Sequence, residues 1–335
     1  MTETTQAPAR SDVERAVSSA VRAPSVHNTQ PWQWVHRDGV LELYADRTRQ
    51  LPALDPDGRA VLLSCGAALE LARLGFAADG WRTEVDRMSD PARPDLLARI
   101  RPVGRTAVDP VTVERAQAAE RRRTDRRPFR PEPVAAETVN ALLAVAAGRD
   151  HYAYAVQRAD ERLDLAVVFS WADELELADP AYQAELESWT RYPGADAPDG
   201  VPASAVPRVA AGEARHTDVP VRDFEAGITG GQEFIEVVDE RPVYLVVFTT
   251  GDDAGARLRA GEVYARISVE AERLGLASSA MTQAVDLPAV RERFRALMGW
   301  PDHPQMVLRV GHPQPGPTPP PTGRRPLSAV LRWED

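Results

Sequence analysis

The sequence predicts an α+β fold in which helices cover mostly antiparallel strands. Three observations lead to this prediction. A helix, a hairpin, a long helix and further strands follow one another in residues 12–110, and a related series follows in residues 111–335. The dipeptide Asp38-Gly39, typical of tight hairpin turns, separates two segments rich in Trp, Val, Leu and Tyr. Apolar residues at helical spacing predict long helices near residues 59–78 and 255–276.

The elements of the first half follow from its apolar spacing. Residues 13–21 have a helical pattern, for which Ser11 or Asp12 is the predicted cap and Pro24 the predicted stop. Residues 32–46 form the hairpin, with Trp32 and Trp34 as core residues. The remaining predicted elements are a helix at about 59–78 and short strands at 82–88 and 96–103.

The second half begins in a similar way, which indicates an internal duplication with divergence. Its predicted elements, in order, are helices at 112–123 and 131–148, a strand at 151–157, a helix at 160–179, a strand at 242–253, a helix at 255–276 and a strand at 306–313. Residues 193–235 are rich in Pro, Gly and Ala and have weak periodicity, which favours a lid or an insertion. The proline-rich linker 314–323 should be extended and carry the tail over the surface.

Composition argues against several function classes. The net charge of −10 disfavours general attraction to nucleic acid or to an anionic membrane, so a polyanion site would have to be a local patch. The single cysteine, Cys65, cannot build a disulfide framework and is predicted to lie in the core. Residues 1–12 lack the apolar core of a secretory signal, and no uninterrupted apolar stretch of about eighteen residues is present. We therefore expect a cytoplasmic protein with neither a membrane nor a nucleic-acid partner.

Common catalytic motifs are absent from the sequence. It contains no GxGxxG after a strand, no GxxxxGK[ST], no GxSxG, no HExxH and no CxxC. The histidines are scattered without metal-ligand spacing, so no metal site is expected.

An arginine-rich segment, RRRTDRRPFR at 121–130, leaves three interpretations open. It can be a solvated charged face, a nucleic-acid patch or a phosphate site. The acidic chain and the lack of interleaved aromatics other than Phe129 weigh against nucleic acid. A phosphate site would use bidentate guanidinium groups, with Thr124 as a hydroxyl donor.

A second unusual segment, RAPSVHNTQPWQW at 22–34, links a predicted helix to a predicted strand. A helix stop followed by a core strand explains its prolines and tryptophans. It does not explain Ser25, Asn28 and Gln30 together, since their hydroxyl and amide groups suit a flat polar heterocycle. His27 has no assigned role.

Together these segments resemble the FMN-dependent nitroreductase family. APSVHNTQPW is similar to the family motif A-P-S-x-x-N-x-Q-P-W, and RRRTDRRPF to its R-x-[ST]-x-[RK] motif. AGEVYARISVEAERLGLASSAMTQ resembles the central helix and the strand that passes the flavin, and GHPQPGPTPPPTGRRPL resembles the C-terminal strand and arginine-bearing tail. The resemblance covers nearly the whole chain except residues 193–235. The order of the motifs resembles that of the Acg-type nitroreductases of actinobacteria.

The motif order implies a nitroreductase-like fold with two tandem halves that form an intramolecular pseudo-dimer. In ordinary members, two subunits share each FMN: one supplies the arginine motif and the other the Ser/Asn motif. Here residues 12–110 carry only the Ser/Asn motif and residues 111–335 carry only the arginine motif. We therefore predict one FMN per chain between the halves, in a protein that can be a monomer.

The resemblance assigns cofactor contacts residue by residue. The assigned residues are Pro24, Ser25, Asn28, Gln30, Arg122, Thr124, Arg126, Ser279, Met281, Thr282, Gln283, Arg324 and Arg325. Arg122 and Arg126 would hold the phosphate or the carbonyl edge of the ring, and Arg324 would lie at the phosphate. Two departures from the family pattern are Val26, where a second serine is common, and Thr282-Gln283, in place of an acidic-glycine pair.

The resemblance implies that flavin N5 carries the chemistry, so that no dedicated catalytic side chain is needed. NAD(P)H would reduce the flavin, and a nitroaromatic, quinone or similar small molecule would accept the electrons. The alternative is a flavin storage or sequestering protein without turnover, in which residues 193–235 close over the flavin.

Overall fold

The computed structural model describes residues 7–191, 197–208, 219, 232–233 and 241–334. Helices within them are α1 Arg10–Ala20, α2 Arg59–Ala78, α3 Pro110–Arg121, α4 Ala136–Ala146, α5 Ala159–Ala178, α6 Pro180–Trp189, α7 Ala254–Arg273, α8 Gln283–Asp286, α9 Pro288–Leu297 and α10 Leu327–Val330. Strands are β1 Trp32–Arg37, β2 Val40–Ala45, β3 Trp81–Arg87, β4 Leu96–Arg105, β5 His151–Val156, β6 Thr190–Arg191, β7 Val201–Pro202, β8 Pro207–Arg208, β9 Gln232–Glu233, β10 Val243–Thr249, β11 Ala277–Met281, β12 His303–Gly311 and β13 Leu331–Trp333.

Two larger sheets organise the described chain, and the predicted α+β class is correct. The first sheet has the strand order β13-β1-β2-β4-β3, and the second has the order β11-β12-β10-β5. All pairings in both are antiparallel except that of β1 with β13. The strand β13 comes from the C-terminal tail and pairs in parallel with β1, so the tail returns to the first sheet.

Most predicted elements lie where the apolar patterns placed them. The hairpin turn has φ of 50° at Asp38 and 74° at Gly39, as the tight turns favoured by this dipeptide require. Trp32, Trp34 and Cys65 have no exposed surface, as expected for core residues.

The predicted cap of α1 is wrong. Ala9 is the N-cap residue, and Asp12 instead lies in the first turn, where its carboxylate accepts a hydrogen bond of 2.9 Å from the Ala9 amide. The acidic residue therefore reaches back to the helix start from the third helical position, as in a capping box.

Four helices of the described residues, α6, α8, α9 and α10, were not expected from the sequence. The helix α6 begins with Asp179-Pro180, and the Asp179 carboxylate accepts a hydrogen bond from the Ala181 amide. The helix α9 begins with Pro288. Proline in the first turn is a helix-start signal that would have identified α6 and α9.

The two long helices α2 and α7 cross at a pair of glycines. A Cβ atom on Gly66 would lie 2.0 Å from the carbonyl oxygen of Leu258, and one on Gly261 would lie 2.0 Å from that of Leu63. Only a residue without a side chain allows the two backbones to approach this closely. At the crossing, α2 and α7 pack against each other and share one hydrophobic core with residues of both sheets.

The helix α2 is long and apolar enough by composition to cross a membrane. However, 78% of its apolar window is buried inside the protein. Its hydrophobicity is thus accounted for by packing in the core.

Candidate flavin site

A cavity of about 120 Å³ lies where the α1–β1 loop, the loop after α3 and strand β11 meet. The predicted site residues that line it are Pro24, Ser25, Asn28, Arg122, Thr124, Arg126, Ser279, Thr282, Gln283 and Arg324. These residues lie as far as three hundred positions apart in the chain, and the fold brings them to one place. Gln30, Met281 and Arg325 do not line the cavity.

The α1–β1 loop has a strained backbone beside the cavity. His27, Asn28 and Gln30 have φ angles of 43°, 56° and 51°, in the left-handed region that non-glycine residues seldom adopt. Such conformations cost on the order of 1 kcal/mol each and persist where surrounding contacts enforce them, most often at functional sites. Here Ser25 closes the loop, since its Oγ accepts a hydrogen bond of 3.0 Å from the Gln30 amide.

Asn28 links three segments of the chain. Its Nδ2 donates to the carbonyl oxygens of Gly200 and Gly323, each at 3.1 Å, and its Oδ1 accepts from Arg324 at 3.2 Å. Both amide hydrogens are therefore used within the protein. Asn28 lines the cavity, but its hydrogen bonds hold the tail and the segment around Gly200 in place.

The arginine loop after α3 is held by its own ion pair. Arg127 forms a bidentate pair with Asp125, at 2.9 and 2.7 Å, and the Asp125 amide donates to the carbonyl of Ser278 on β11. Arg130 pairs with Glu132. The arginines of this segment therefore fall into two groups. Arg122 and Arg126 line the cavity, whereas Arg127 and Arg130 lie outside it and are neutralised by carboxylates.

The cationic cluster on the cavity wall consists of Arg122, Arg123 and Arg324. In the described part of the chain, none of the three forms an ion pair with a carboxylate. Burial lowers the pKa of Arg122 and Arg123. Burial, followed by repulsion from Arg122, lowers the pKa of Arg324 to about 9. A buried cation without a counterion is costly, so this cluster is suited to an anionic ligand.

Unpartnered polar atoms also line the cavity. Among the described residues, the buried Nε atoms of Arg122 and Arg324 and the hydroxyl of Ser279 lack hydrogen-bond partners. Ser279 is only 2% exposed. Buried donors without partners are rare in folded proteins, and their clustering at one cavity indicates a polar ligand.

The segment that follows β11 supplies the opposite wall. The Thr282 hydroxyl donates to the Asp286 carboxylate at 2.7 Å, and Gln283 donates to Asp173 at 3.2 Å. The side chain of Met281 is 1% exposed and packs in the hydrophobic core. Ser279 and Met281 are two positions apart on β11 and so share a face of the strand, but only Ser279 lines the cavity. The alternation of the strand therefore does not by itself assign these two residues to the site.

Gln30 and Arg325 lie behind the cavity wall and support it. Gln30 is fully buried, and its side chain donates to the carbonyl of Pro198 at 2.8 Å and accepts from the Arg325 amide at 2.8 Å. The Arg325 guanidinium donates to the carbonyl of Gln30 at 3.0 Å. The two residues thus fix the C-terminal tail against the α1–β1 loop.

Sequence reasoning missed several residues that line the cavity. They are Arg123, Tyr264, Asp286, Val201, Ala205, Pro320 and Thr322, together with the mostly small or apolar Ala60, Leu63, Ser64, Ala280 and Met306. Tyr264 follows the crossing glycine of α7, and its hydroxyl-bearing side chain interrupts an otherwise apolar helix face, which is the signal that could have identified it. Pro320 and Thr322 show that the proline-rich linker forms part of the wall, whereas it was expected to be only a spacer.

Residues 197–208 form a strap across the cavity, and part of the predicted 193–235 lid falls within them. Of the rest of that predicted segment, only residues 219 and 232–233 are described. Asp199 forms an ion pair with Arg49, and Arg126 contacts the Ala205 carbonyl at 3.4 Å. Val201 and Val206 pack in a small hydrophobic cluster with Leu51 and residues of α6. Polar and apolar contacts therefore both hold the strap against the first half.

Comparisons with known proteins identify the family of the chain. The model of the nitroreductase family matches residues 119–312. A Mycobacterium tuberculosis protein named "Putative NAD(P)H nitroreductase acg" is 36% identical over 95% of this chain and 95% of its own length. Another, named "Putative NAD(P)H nitroreductase Rv3131", is 35% identical over 99% of this chain and 94% of its own length.

Among solved structures, a nitroreductase with bound FMN from Bacteroides fragilis is similar over 63% of this chain and 95% of its own, with 13% identity and a TM-score of 0.39. The sequence matches, which extend over nearly the whole chain, carry the family assignment. The chain belongs to the nitroreductase family.

Proposed function

We propose that this protein binds one FMN in the cavity and uses it to reduce nitroaromatic, quinone or similar acceptors with electrons from NAD(P)H. The observation that carries the proposal is the cationic cluster of the buried Arg122 and the partly buried Arg123 and Arg324, which has no carboxylate counterion among the described residues. A phosphate would neutralise this cluster and occupy its unpartnered donors.

The residues present fit FMN along the rest of the cavity. Leu63, Tyr264 and Met306 supply apolar and aromatic surface for a flat ring system. Ser279 and Arg126 supply donors for the polar edge of that ring, and Ser25 and Asn28 hold the facing loop. Bound FMN would supply the two-electron chemistry, and the protein would orient it, shield it and neutralise its charge.

One flavin per chain is part of the proposal, together with an intramolecular pseudo-dimer of residues 12–110 and 111–335. The reciprocal contacts of Gly66 and Gly261 support a twofold relation between α2 and α7. Arg87 lies as far beyond Gly66 as Thr282 lies beyond Gly261. At that position Arg87 forms a bidentate pair with the buried Glu262, at 2.7 Å for both bonds. This ion pair would fill the space of a second flavin.

The spectrum of the purified protein tests the proposal. We expect flavin absorption bands at one equivalent per chain after FMN is added, and bleaching within seconds when NADH or NADPH is added without oxygen. Protein that stays colourless after reconstitution, or that holds two flavins, would contradict the flavin site as proposed.

The cytoplasm remains our prediction for the location of the protein, and the single buried thiol of Cys65 suits it.

A second candidate is a flavin-holding protein that does not turn over. The strap at residues 197–208 favours it, because the Arg49–Asp199 ion pair and the hydrogen bonds from Asn28 and Gln30 hold that segment over the cavity. Bleaching by dithionite but not by either nicotinamide would support this candidate over the oxidoreductase.

Releasing the strap should increase access to the flavin. In Asp199→Asn the ion pair with Arg49 is lost, so we expect faster bleaching by NADPH than in the wild type, with little change in FMN content. The measurement is stopped-flow absorbance under nitrogen. Asp95→Asn is the matched control, because Asp95 pairs with Arg47 on the exposed surface. Equal bleaching rates in all three proteins would show that the strap does not limit access.

A further inference from the structure

A second cavity, of about 500 Å³, lies between α2, β3, α3 and α7 and has a wall that is distinct from that of the flavin site. The two cavities share no lining residue. The floor of the second is apolar and includes Leu71, Leu74 and Trp81. In a protein with a net charge of −10, its polar rim is basic: Arg73, Arg82, Arg115 and Arg266 line it with a single carboxylate, that of Glu70.

The ion pairs of this cavity leave positive charge uncompensated. Arg115 pairs with Glu270 at 2.9 Å, but Glu270 also pairs with Arg273 at 2.7 Å. Glu262, behind the cavity, is already held by Arg87 through two hydrogen bonds. The carboxylates nearest the rim are therefore shared between arginines.

Two rim arginines have weak contacts or none. All the contacts of Arg266 are long: 3.4 Å to the Val145 carbonyl, 3.5 Å to the His151 ring and 3.9 Å to Glu70. Its Nε is buried without a hydrogen-bond partner. The Nε of Arg73 is also unpartnered, but Nη1 of Arg73 pairs with Glu70 at 2.9 Å, so the one carboxylate that lines the cavity is already used. Within the described residues, Arg82 forms no ion pair.

We propose that this second cavity binds a small amphiphilic anion, a molecule with an apolar body and a carboxylate or phosphate head. The apolar floor accepts the body, and the guanidinium groups of Arg82 and Arg266 bind the head. The Thr83 and Thr106 hydroxyls on the rim are further donors. Because the cavity lies between α2 of the first half and α7 of the second, the ligand bridges both long helices.

Calorimetric titration of the full-length protein, in excess FMN, tests the proposal. The probes are 1-naphthoate and 1-naphthyl phosphate, with 1-naphthol as the neutral analogue and inorganic phosphate as the head alone. We expect one of the two naphthyl anions, or both, to bind more tightly than 1-naphthol and inorganic phosphate. The stronger of the two identifies the head as a carboxylate or a phosphate. Binding of neither anion, or equal binding of 1-naphthol, overturns the proposal.

Variants locate the bound anion. Arg266→Gln and Arg82→Gln should each weaken binding by about tenfold, the effect of losing one charge-assisted hydrogen bond. Ala77→Phe should block the cavity without a change in charge, since Ala77 lines it and is partly exposed. Arg101→Gln, on the exposed side of β4, removes the same charge outside the cavity and should bind as the wild type does.

Two results would overturn the location. One is unchanged binding in Arg266→Gln, Arg82→Gln and Ala77→Phe. The other is loss of binding in Arg122→Gln, which would place the anion in the flavin cavity. FMN content is measured on the same samples, so a failure of the flavin proposal is seen separately from a failure of this one.

Discussion

Replacing Arg324 with glutamine is expected to weaken FMN binding by about tenfold to a hundredfold, since a hydrogen bond from a charged donor contributes about 1.5–3 kcal/mol. Arg324 belongs to the cationic cluster, and its buried Nε has no partner among the described residues. The dissociation constant of FMN, measured by fluorescence quenching on stripped protein, gives the size of the effect.

The same substitution should stabilise the protein in the absence of FMN. Arg324 is a partly buried cation beside Arg122 and Arg123, and its removal relieves a desolvation cost and a repulsion that we expect to outweigh its hydrogen bonds to Asn28 and Gly323. We expect a gain on the order of 1 kcal/mol in the free energy of unfolding, or a melting temperature higher by about 2 °C. The sign of this change shows the role of Arg324. Loss of a ligand-binding arginine raises the stability of the protein without FMN, whereas loss of a structural arginine would lower it.

The stability gain should depend on pH in a defined direction. The pKa of Arg324 is about 9 in the folded protein and near 12.5 when exposed. Below about pH 9 the folded and unfolded chains both carry the Arg324 proton, so the cost of burying this cation is constant. Above about pH 9 the folded chain releases the proton first, and the cost of burial decreases. The difference in the free energy of unfolding between Arg324→Gln and the wild type should therefore become smaller.

Arg130→Gln is the control for this experiment. Arg130 lies in the same arginine-rich segment but pairs with Glu132 outside the cavity. We expect its FMN affinity to equal that of the wild type. An Arg324→Gln protein that keeps wild-type affinity, or that is less stable than the wild type without FMN, would contradict the assignment of Arg324 to the anion site.

The largest expected loss of stability comes from Gly66→Ala or Gly261→Ala. Each new Cβ would lie 2.0 Å from a backbone carbonyl oxygen of the opposite helix, that of Leu258 or Leu63. Because both neighbours are backbone, α2 and α7 must move apart, and we expect a cost of about 3 kcal/mol or more in the free energy of unfolding. Urea denaturation measures this cost directly.

Gly255→Ala on α7 is the matched control. Its Cβ would meet only side-chain atoms, the nearest being Asp253 Oδ1 at 3.2 Å. Alanine also has a higher helix propensity than glycine, so this variant should be as stable as the wild type or more so, by up to about 1 kcal/mol. If Gly66→Ala and Gly255→Ala have the same stability, the close approach of α2 and α7 is not a determinant of the fold.

Separation of the two helices should also loosen the flavin cavity. Leu63 and Ser64 on α2 and Tyr264 on α7 line it, next to the crossing glycines. We therefore expect the folded fraction of Gly66→Ala to hold FMN less tightly than the wild type. Arg324→Gln should instead lose affinity without losing stability, so the two variants separate the anion contacts from the shape of the cavity.

Local signals in the sequence were sufficient for much of the fold. The apolar period placed α2 and α7, and Asp38-Gly39 placed the β1–β2 turn, because these elements depend on contacts between residues near in sequence. The helices α6 and α9 were missed although each begins with a proline in its first turn. The cap of α1 was misplaced because Asp12 acts from inside the helix.

The resemblance to the nitroreductases identified the segments of the site, and the family matches confirm that resemblance. It did not distinguish side chains that line the cavity from those that support it. Gln30 and Arg325 hydrogen-bond to each other behind the wall, and Met281 packs in the core, although all three belong to matching segments. The roles of Pro320 and Thr322 had no signal in a linker of low complexity.

The amino-acid pattern alone predicted the fold class, the family and the segments that resemble the cofactor motifs of that family. The folded chain settled which atoms of those segments meet at one cavity. The cationic cluster could likewise be recognised only in the folded chain. Whether Arg122 and Arg324 have a counterion among the described residues depends on which side chains surround them. The physical reason is that burial and pairing depend on distances between distant parts of the chain, here α2 and α7 brought together by two glycines, which no local pattern encodes.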